Sequence, residues 1–393
     1  MKYFFVLGNN PALSVAEISA VINFKSAQLL AKNFLIIECE QELNPSHIIK
    51  TLGGSIKIGL IKNKFNRRNW QKIKQEIISL VKTSQISSKS KFNFGFSEYG
   101  SSILNTKELG LDLKKKFKLQ AISARFVISK EKNLSSVVVE RNKLLTKGLE
   151  IVIVANKEEA FIGQTLAVQA FRELSRRDYG RPARDDRSGM LPPKLAQIML
   201  NLAQIEHKSA CLLDPFCGSG TVISEAILAG FNNLIASDIS PKAIGDTKKN
   251  VAWLRELENI TKITLKLAVK NVLDLTKFVK KNSVDAIVTE PYLGPQRGNF
   301  SVDQISKELE ELYSQALEQF RIVLKPKARV VMVWPIFYGH QPIKPNYQGF
   351  ELIDMLAKSL KFSQYLKKNI RPTIIYGRPG QKIYREIVVL QKK

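Results

Sequence analysis

Asp214-Pro215-Phe216-Cys217-Gly218-Ser219-Gly220-Thr221 follows the apolar run 210–213 and precedes a stretch of helical spacing over 221–229. An apolar run ending in an acid, then a glycine turn, then a helix reads as the opening unit of a Rossmann-like sheet. Gly218 and Gly220 let the backbone approach a ligand where a Cβ would intrude. The same rhythm continues outward: strands are expected at 233–237, ending at Asp238, and at 264–268. Two more fall at 284–288, ending at Glu290, and at 328–334, with helices over 193–205, 241–257 and 303–323. Such alternation predicts an α/β fold with a mostly parallel seven-stranded sheet. The runs 373–376 and 384–390, joined by Gly377-Arg378-Pro379-Gly380, add an antiparallel hairpin at its end.

In open α/β sheets ligands bind at the carboxyl ends of the strands. Asp214, Asp238 and Glu290 all stand at such ends in this reading. Asp214 can accept from an ammonium, and Asp238 from the two hydroxyls of a ribose. Asp274, after the third strand, is placed to accept from an adenine amine. Phe216, Gly218, Gly220 and Thr221 of the loop, with Ile239 beside Asp238, complete the candidate cofactor set, and S-adenosyl-L-methionine (SAM) is the ligand this set fits. A nicotinamide dinucleotide is the competing ligand, because Asp238 lies 20 residues after Gly218. Against it, the third glycine of that fingerprint falls on Ile223, and Asp214 would repel a pyrophosphate.

Thr289-Glu290-Pro291-Tyr292-Leu293-Gly294 points to the reaction. An exocyclic amine on a base is a poor nucleophile, since its lone pair is delocalised into the ring. A carboxylate and a backbone carbonyl that accept its two N–H bonds aim it at a methyl group, with positioning and electrostatics lowering most of the barrier. Glu290 and the carbonyl of Pro291 are the candidate acceptors, with Tyr292 stacking on the base. The structural alternative is a plain strand-end turn.

The chain has 393 residues, more than one core usually supports, and 44% of them are hydrophobic, so two or three globular domains are expected. A net charge of +26 favours a polyanionic partner such as nucleic acid, although a lysine-rich background composition produces the same sign. Cys39, Cys211 and Cys217 lack metal-ligand spacing, and the three histidines make no cluster, so no metal is expected. No apolar stretch is long enough to span a membrane and no secretory signal is visible, which together give a cytoplasmic expectation.

The first 170 residues alternate short strands and helices, as in an α+β module. Ser14-Val15-Ala16-Glu17 has capping-box spacing, and 70–83 and 102–117 read as lysine-rich helices, the second carrying Lys114, Lys115 and Lys116 with Lys118 just beyond it. Residues 171–190 read as an arginine-rich linker. There Arg176, Arg177, Arg181 and Arg184 are candidates for RNA-backbone contacts, with a solvated, internally paired loop as the equal alternative. The second domain is 191–393.

Leu191-Pro192-Pro193-Lys194-Leu195-Ala196, the loop 214–221 and Asp238-Ile239-Ser240-Pro241-Lys242-Ala243 are similar to the join and the first two motifs of THUMP-domain RNA methyltransferases, particularly the tRNA guanine-N2 methyltransferase family. Gly8-Asn9-Asn10-Pro11-Ala12-Leu13-Ser14, and Leu52-Gly53-Gly54 with Lys57, resemble the N-terminal half of the same proteins. The resemblance implies a THUMP-type RNA-binding region over 1–170. It also implies tRNA as partner and N2-methylguanosine as product, position 10 being the candidate. One departure stands out: the family pattern is Thr-Asp-Pro-Pro-Tyr-Gly, and here Glu290 replaces the aspartate and Tyr292 the second proline. Glutamate is one methylene longer, so the amine must sit farther back or the turn must differ. A DNA amino-methyltransferase and a non-catalytic RNA-binding protein that retains the fold are the alternatives.

Overall fold

A computed structural model describes residues 1–86, 91–184, 190–295, 298–356, 366 and 370–393. Asp185, Asp186 and Arg187 of the expected linker lie outside the described residues. The chain divides into two units: the first holds Met1–Val15 and Ile22–Phe171, and the second holds Ala16–Val21, Arg172–Ala357 and Lys368–Lys393.

The first unit runs β1 (Lys2–Leu7), α1 (Pro11–Val21, whose second half is grouped with the other unit), β2 (Ser26–Ala31), β3 (Phe34–Glu38), α2 (Pro45–Thr51), β4 (Ser55–Asn66) and α3 (Trp70–Ile86). It continues with β5 (Phe92–Gly100), α4 (Thr106–Leu119), β6 (Ala124–Val127), α5 (Ser136–Arg141), β7 (Gly148–Ala155) and β8 (Glu159–Val168). Its strands form one sheet in the order β2-β3-β1-β4-β8-β7-β5-β6, in which β6 and β7 flank β5 in parallel and the other pairings are antiparallel. Ile73, Ile77 and Val81 of α3 and Leu109, Leu113 and Phe117 of α4 cover Phe92, Phe94 and Phe96 of β5. Each such side chain contributes about 1.5–3 kcal/mol by leaving water. The lysines 114, 115, 116 and 118 occupy the opposite, exposed face of α4.

The capping-box expectation at Ser14 is corrected here. α1 begins three residues earlier, at Pro11, and Asn10 caps it by accepting from the Leu13 N–H (3.1 Å). Ser14 lies inside the first turns, where its hydroxyl donates to the carbonyl of Asn10 (3.0 Å) and is also 2.7 Å from that of Gly54. Proline at the first helical position, after an Asx residue, was the stronger start signal.

The second unit runs α6 (Phe171–Tyr179), α7 (Pro193–Leu202), β9 (Cys211–Asp214), α8 (Thr221–Leu228), β10 (Asn233–Asp238), α9 (Pro241–Leu257) and β11 (Thr264–Val269). After a short 3-10 turn (Val272–Lys277) come β12 (Val284–Thr289), α10 (Val302–Val323), β13 (Leu324–Phe337), β14 (Phe350–Leu352), β15 (Ile374–Tyr376) and β16 (Ile383–Lys392). The sheet order is β11-β10-β9-β12-β13-β16-β14, with β15 paired to β16 off that path. β9 to β13 are parallel and β16 is antiparallel to β13. The sheet thus has eight strands where seven were expected, and its parallel run and terminal hairpin are as predicted. The central strands read as unbroken apolar runs because both faces are covered: β9 is buried throughout, as are Val330 to Trp334 of β13. The arginine-rich segment begins as a helix, α6, and not as an irregular linker.

Strand order reverses between β9 and β12, so the crevice above their carboxyl ends is the switch point at which ligands of such sheets bind. Among the described residues, no helix is long and apolar enough to cross a membrane.

Candidate active site

A cavity of about 760 Å³ opens at that switch point. Its wall includes Asp214, Phe216, Gly218 and Thr221 of the loop, Asp238 and Ile239 after β10, Asn271 to Leu273 after β11, and Glu290 to Pro295 after β12. The sequence-predicted acids therefore do converge, from three different strand ends.

The glycine loop is held from below. Gly220 caps α8 with φ +81°, and a Cβ there would stand 2.8 Å from Thr247 Cγ2. Gly218, at φ +51°, has nothing within 4 Å of where a Cβ would point. The first glycine therefore answers to packing and backbone, and the second to backbone and the open space above it. The Thr247 hydroxyl donates to the Gly218 carbonyl (2.8 Å), and the Asn250 amide donates to the Ser219 carbonyl (2.8 Å). Sequence reasoning missed both residues. The signal available was that polar Thr247 and Asn250 recur three apart on one face of α9.

Asp238 fixes the loop from the side. Its Oδ2 accepts from the Gly218 N–H and its Oδ1 from the Ser240 N–H, each at 2.9 Å. Each oxygen retains a lone pair for a ligand hydroxyl. Ile239 is 69% exposed and forms an apolar plate on the cavity wall.

Asp214 is buried. Its Oδ1 accepts from the Thr289 hydroxyl (2.6 Å) and from the Phe216 N–H (3.3 Å). Burial pushes its carboxyl up to about 7, against the pull of those two bonds, and the nearby charges of Asp238 and Glu290 push the same way. A wall of acids in which one carboxyl holds its proton near neutrality favours a cationic ligand.

Glu290 borders the same cavity, and its partner was not foreseen. Arg385 of β16 donates Nε–H to Glu290 Oε1 (2.5 Å), with Nη2 3.5 Å from Oε2. Burial raises the Glu290 carboxyl, while Arg385 pulls it down. The backbone of the corner is braced from α10, where the Tyr313 hydroxyl donates to the Tyr292 carbonyl (2.6 Å). Tyr292 itself is exposed, as a stacking side chain must be.

Two expectations are corrected. Asp274 is not on the cavity wall: it pairs with Lys277 at 2.7 Å in solvent, and Asn271 to Leu273 form that part of the lining. Two of the four arginines assigned to RNA are built into the domain. Arg177 makes a bidentate pair with buried Glu225 (2.8 and 3.2 Å), and Arg181, buried, donates to the Thr221 hydroxyl at the start of α8 (2.6 Å). Arg176 binds Glu258 (2.9 Å) and the Arg184 guanidinium lies 5.3 Å from the Tyr179 ring centroid. Glu225 and Glu258 lie on elements far along the chain, so local composition could not reveal these pairings. Thr221 lines the cavity, but its hydroxyl is engaged by Arg181.

Comparison with known proteins agrees with this geometry. Residues 181–336 match the family UPF0020, RMKL-like, methyltransferase domain. That segment, which carries the glycine loop, the acids and the Glu290 corner, is a methyltransferase domain. Its cofactor is SAM, and the Gly218 opening, the Asp238 acceptors and the Ile239 plate fit that molecule's amino-acid and nucleoside parts. The chain is 32% identical over 150 residues to the tRNA (guanine(10)-N2)-dimethyltransferase of Methanocaldococcus jannaschii, covering 38% of this chain and 42% of that one. It is 29% identical over 147 residues to the enzyme of the same name from Methanothermobacter thermautotrophicus, covering 37% and 39%. The matches thus span less than half the length of these curated relatives. The solved structure of TrmN from Thermus thermophilus covers 100% of both chains with a TM-score of 0.56 and 18% identity, a likeness of fold.

Proposed function

We propose that the protein is a SAM-dependent RNA methyltransferase that methylates the exocyclic N2 amine of a guanosine in tRNA, with position 10 as the target. The observation that carries this reading is the Glu290 carboxylate, 12% exposed, on the wall of the cavity whose other acids suit SAM. When bound, SAM supplies an electrophilic methyl group. Glu290 accepts one N–H of the amine and the Pro291 carbonyl the other, while Tyr292 stacks on the base. Tyr313 holds the corner so that these acceptors do not move as charge develops on the nitrogen. The guanine leaves its stack to reach them, which costs a few kcal/mol.

The names of the two archaeal relatives support tRNA as the substrate and N2 as the atom. The net charge of +26 supports a polyanion, and we assign the grip on RNA to the first unit, read as a THUMP-type region over 1–170, with the methyltransferase domain over 191–393. The exposed lysines of α4 belong to that surface. Arg176 and Arg184 remain in this assignment; Arg177 and Arg181 leave it, because their guanidinium groups hold Glu225 and Thr221.

The test is incubation with labelled SAM and, separately, unmodified tRNA transcripts, ribosomal RNA and duplex DNA, followed by nucleoside analysis. N2-methylguanosine from tRNA alone is expected. Label only in duplex DNA supports the DNA methyltransferase alternative, and no label despite SAM and tRNA binding supports a binding protein.

A further inference from the structure

Glu290 stands in an awkward place for an acceptor. Its side chain is largely removed from solvent, which favours the protonated acid, and it shares a cavity wall with the Asp214 carboxyl. A protonated carboxyl offers a donor where the transfer needs an acceptor. Among the described residues, the charged and titratable groups that face it are Asp214 on β9, Tyr313 on α10 and Arg385 on β16. Arg385 supplies the positive charge among them. It sits opposite Pro335 of β13, and β13 lies between β12 and β16, so its side chain reaches across one strand to Glu290. The contact is uneven: Oε1 is held at 2.5 Å, whereas Oε2 is only 3.5 Å from Nη2.

We propose that Arg385 is the positioning residue of the transfer, drawing Glu290 back by Oε1 and leaving Oε2 as the anionic acceptor for the substrate amine. This rests on the methyl-transfer reading given above. It also accounts for how a glutamate works at a corner where the longer side chain would crowd the amine. The extra methylene is taken up by the reach toward β16, and the guanidinium fixes the rotamer and the charge together. Lysine keeps the charge and loses the fork, so the two parts of the role are separable.

The experiment compares wild type, Arg385→Met and Arg385→Lys on tRNA between pH 5.5 and 9. Arg385→Met is expected to lose at least about tenfold in kcat at pH 7, with SAM affinity and KM for tRNA little changed. The acid limb of its kcat profile moves to higher pH by about one unit or more. Arg385→Lys restores the limb and only part of kcat. An unmoved limb with wild-type kcat overturns the proposal, as does an equal, pH-independent loss in both variants, which marks a structural role. A second readout stands apart from turnover. Sinefungin carries an amine where SAM carries its methyl, so its affinity relative to S-adenosylhomocysteine reports the charge on Glu290. In Arg385→Met that preference is expected to fall several-fold at pH 6, and an unchanged ratio overturns the proposal. Absence of methyl transfer by the wild type would instead overturn the proposed activity, with the sinefungin ratio still deciding the role of Arg385.

Discussion

Lys57 and Glu150 in the first unit are 1% and 0% exposed, whereas Glu290 and Arg385 in the second are each 12% exposed and Glu290 borders a cavity. Both are cation–carboxylate pairs, Lys57, Glu150 and Arg385 standing on strands and Glu290 just past the end of one. The first is sealed from solvent, with the carboxylate's hydrogen bonds all on Glu150 Oε1 and, among the described residues, Oε2 left without a partner. Lys57 Nζ donates to Glu150 and to the Leu134 carbonyl (2.6 Å), and the Ser97 hydroxyl bridges Glu150 Oε1 (2.6 Å) and the Leu134 N–H (2.8 Å). That network ties the segment around Leu134 to the sheet. The second pair is open: one carboxylate oxygen is taken and the other is loosely held. Both carboxylates keep an oxygen that is free or loosely held, and what separates the two pairs is whether that oxygen's carboxylate borders an accessible space.

A buried pair contributes little net stability, but breaking it leaves an uncompensated charge. Lys57→Met is therefore expected to destabilise the protein by about 3–5 kcal/mol, and Lys57→Met with Glu150→Leu to recover most of that loss, both read from urea unfolding of the first unit's signal. If the single variant unfolds at the wild-type denaturant concentration, the closed pair is not the fastening described here.

The open site should answer to ligand instead. Asp238→Ala removes the ribose acceptors and the hold on the Gly218 N–H, and SAM affinity is expected to fall about tenfold to a hundredfold by calorimetry. Asp214 gives a pH signature. Its folded-state carboxyl, raised to about 7, keeps a proton that the unfolded chain releases at the ordinary carboxylate value, so its contribution to the ligand-free protein's stability falls as pH rises through that window. A cationic ligand favours the ionised form, so SAM affinity is expected to rise about tenfold from pH 6 to pH 8. Asp214→Asn flattens that slope, whereas a slope unchanged in the variant assigns it to another group. The smallest effect belongs to Asp274→Ala. Asp274 is solvent-exposed and paired with Lys277, and SAM affinity is expected to stay within about twofold.

The contrast between the pairs also marks what could be read from the residues alone. β9, β12 and β13 were legible because strands covered on both faces carry unbroken apolar runs, and the acids at their ends then located the cavity. β4 and β8 were not identified, although they adjoin at the middle of the first unit's sheet. β4 mixes Gly59 and three lysines into twelve residues and is buried mainly over its first half, so no period-2 alternation emerges. Lys57 was noticed only through its neighbours Gly53 and Gly54, and its partner, 93 residues away, was invisible. Arg385 lies 95 residues from Glu290 and two strands over. Partners across a sheet follow from strand order, which local periodicity does not determine. The RNA assignment of Arg177 failed for the same reason, since nothing near it announced Glu225.

The most direct test of the account is methyl transfer to unmodified tRNA by Glu290→Gln, with SAM affinity measured on the same preparation. The neutral amide fills the same space and removes the anionic acceptor. Transfer is expected to fall by at least about a hundredfold, with SAM affinity within about threefold of wild type. Near-wild-type transfer by Glu290→Gln would contradict the assignment of Glu290 as the acceptor at this corner.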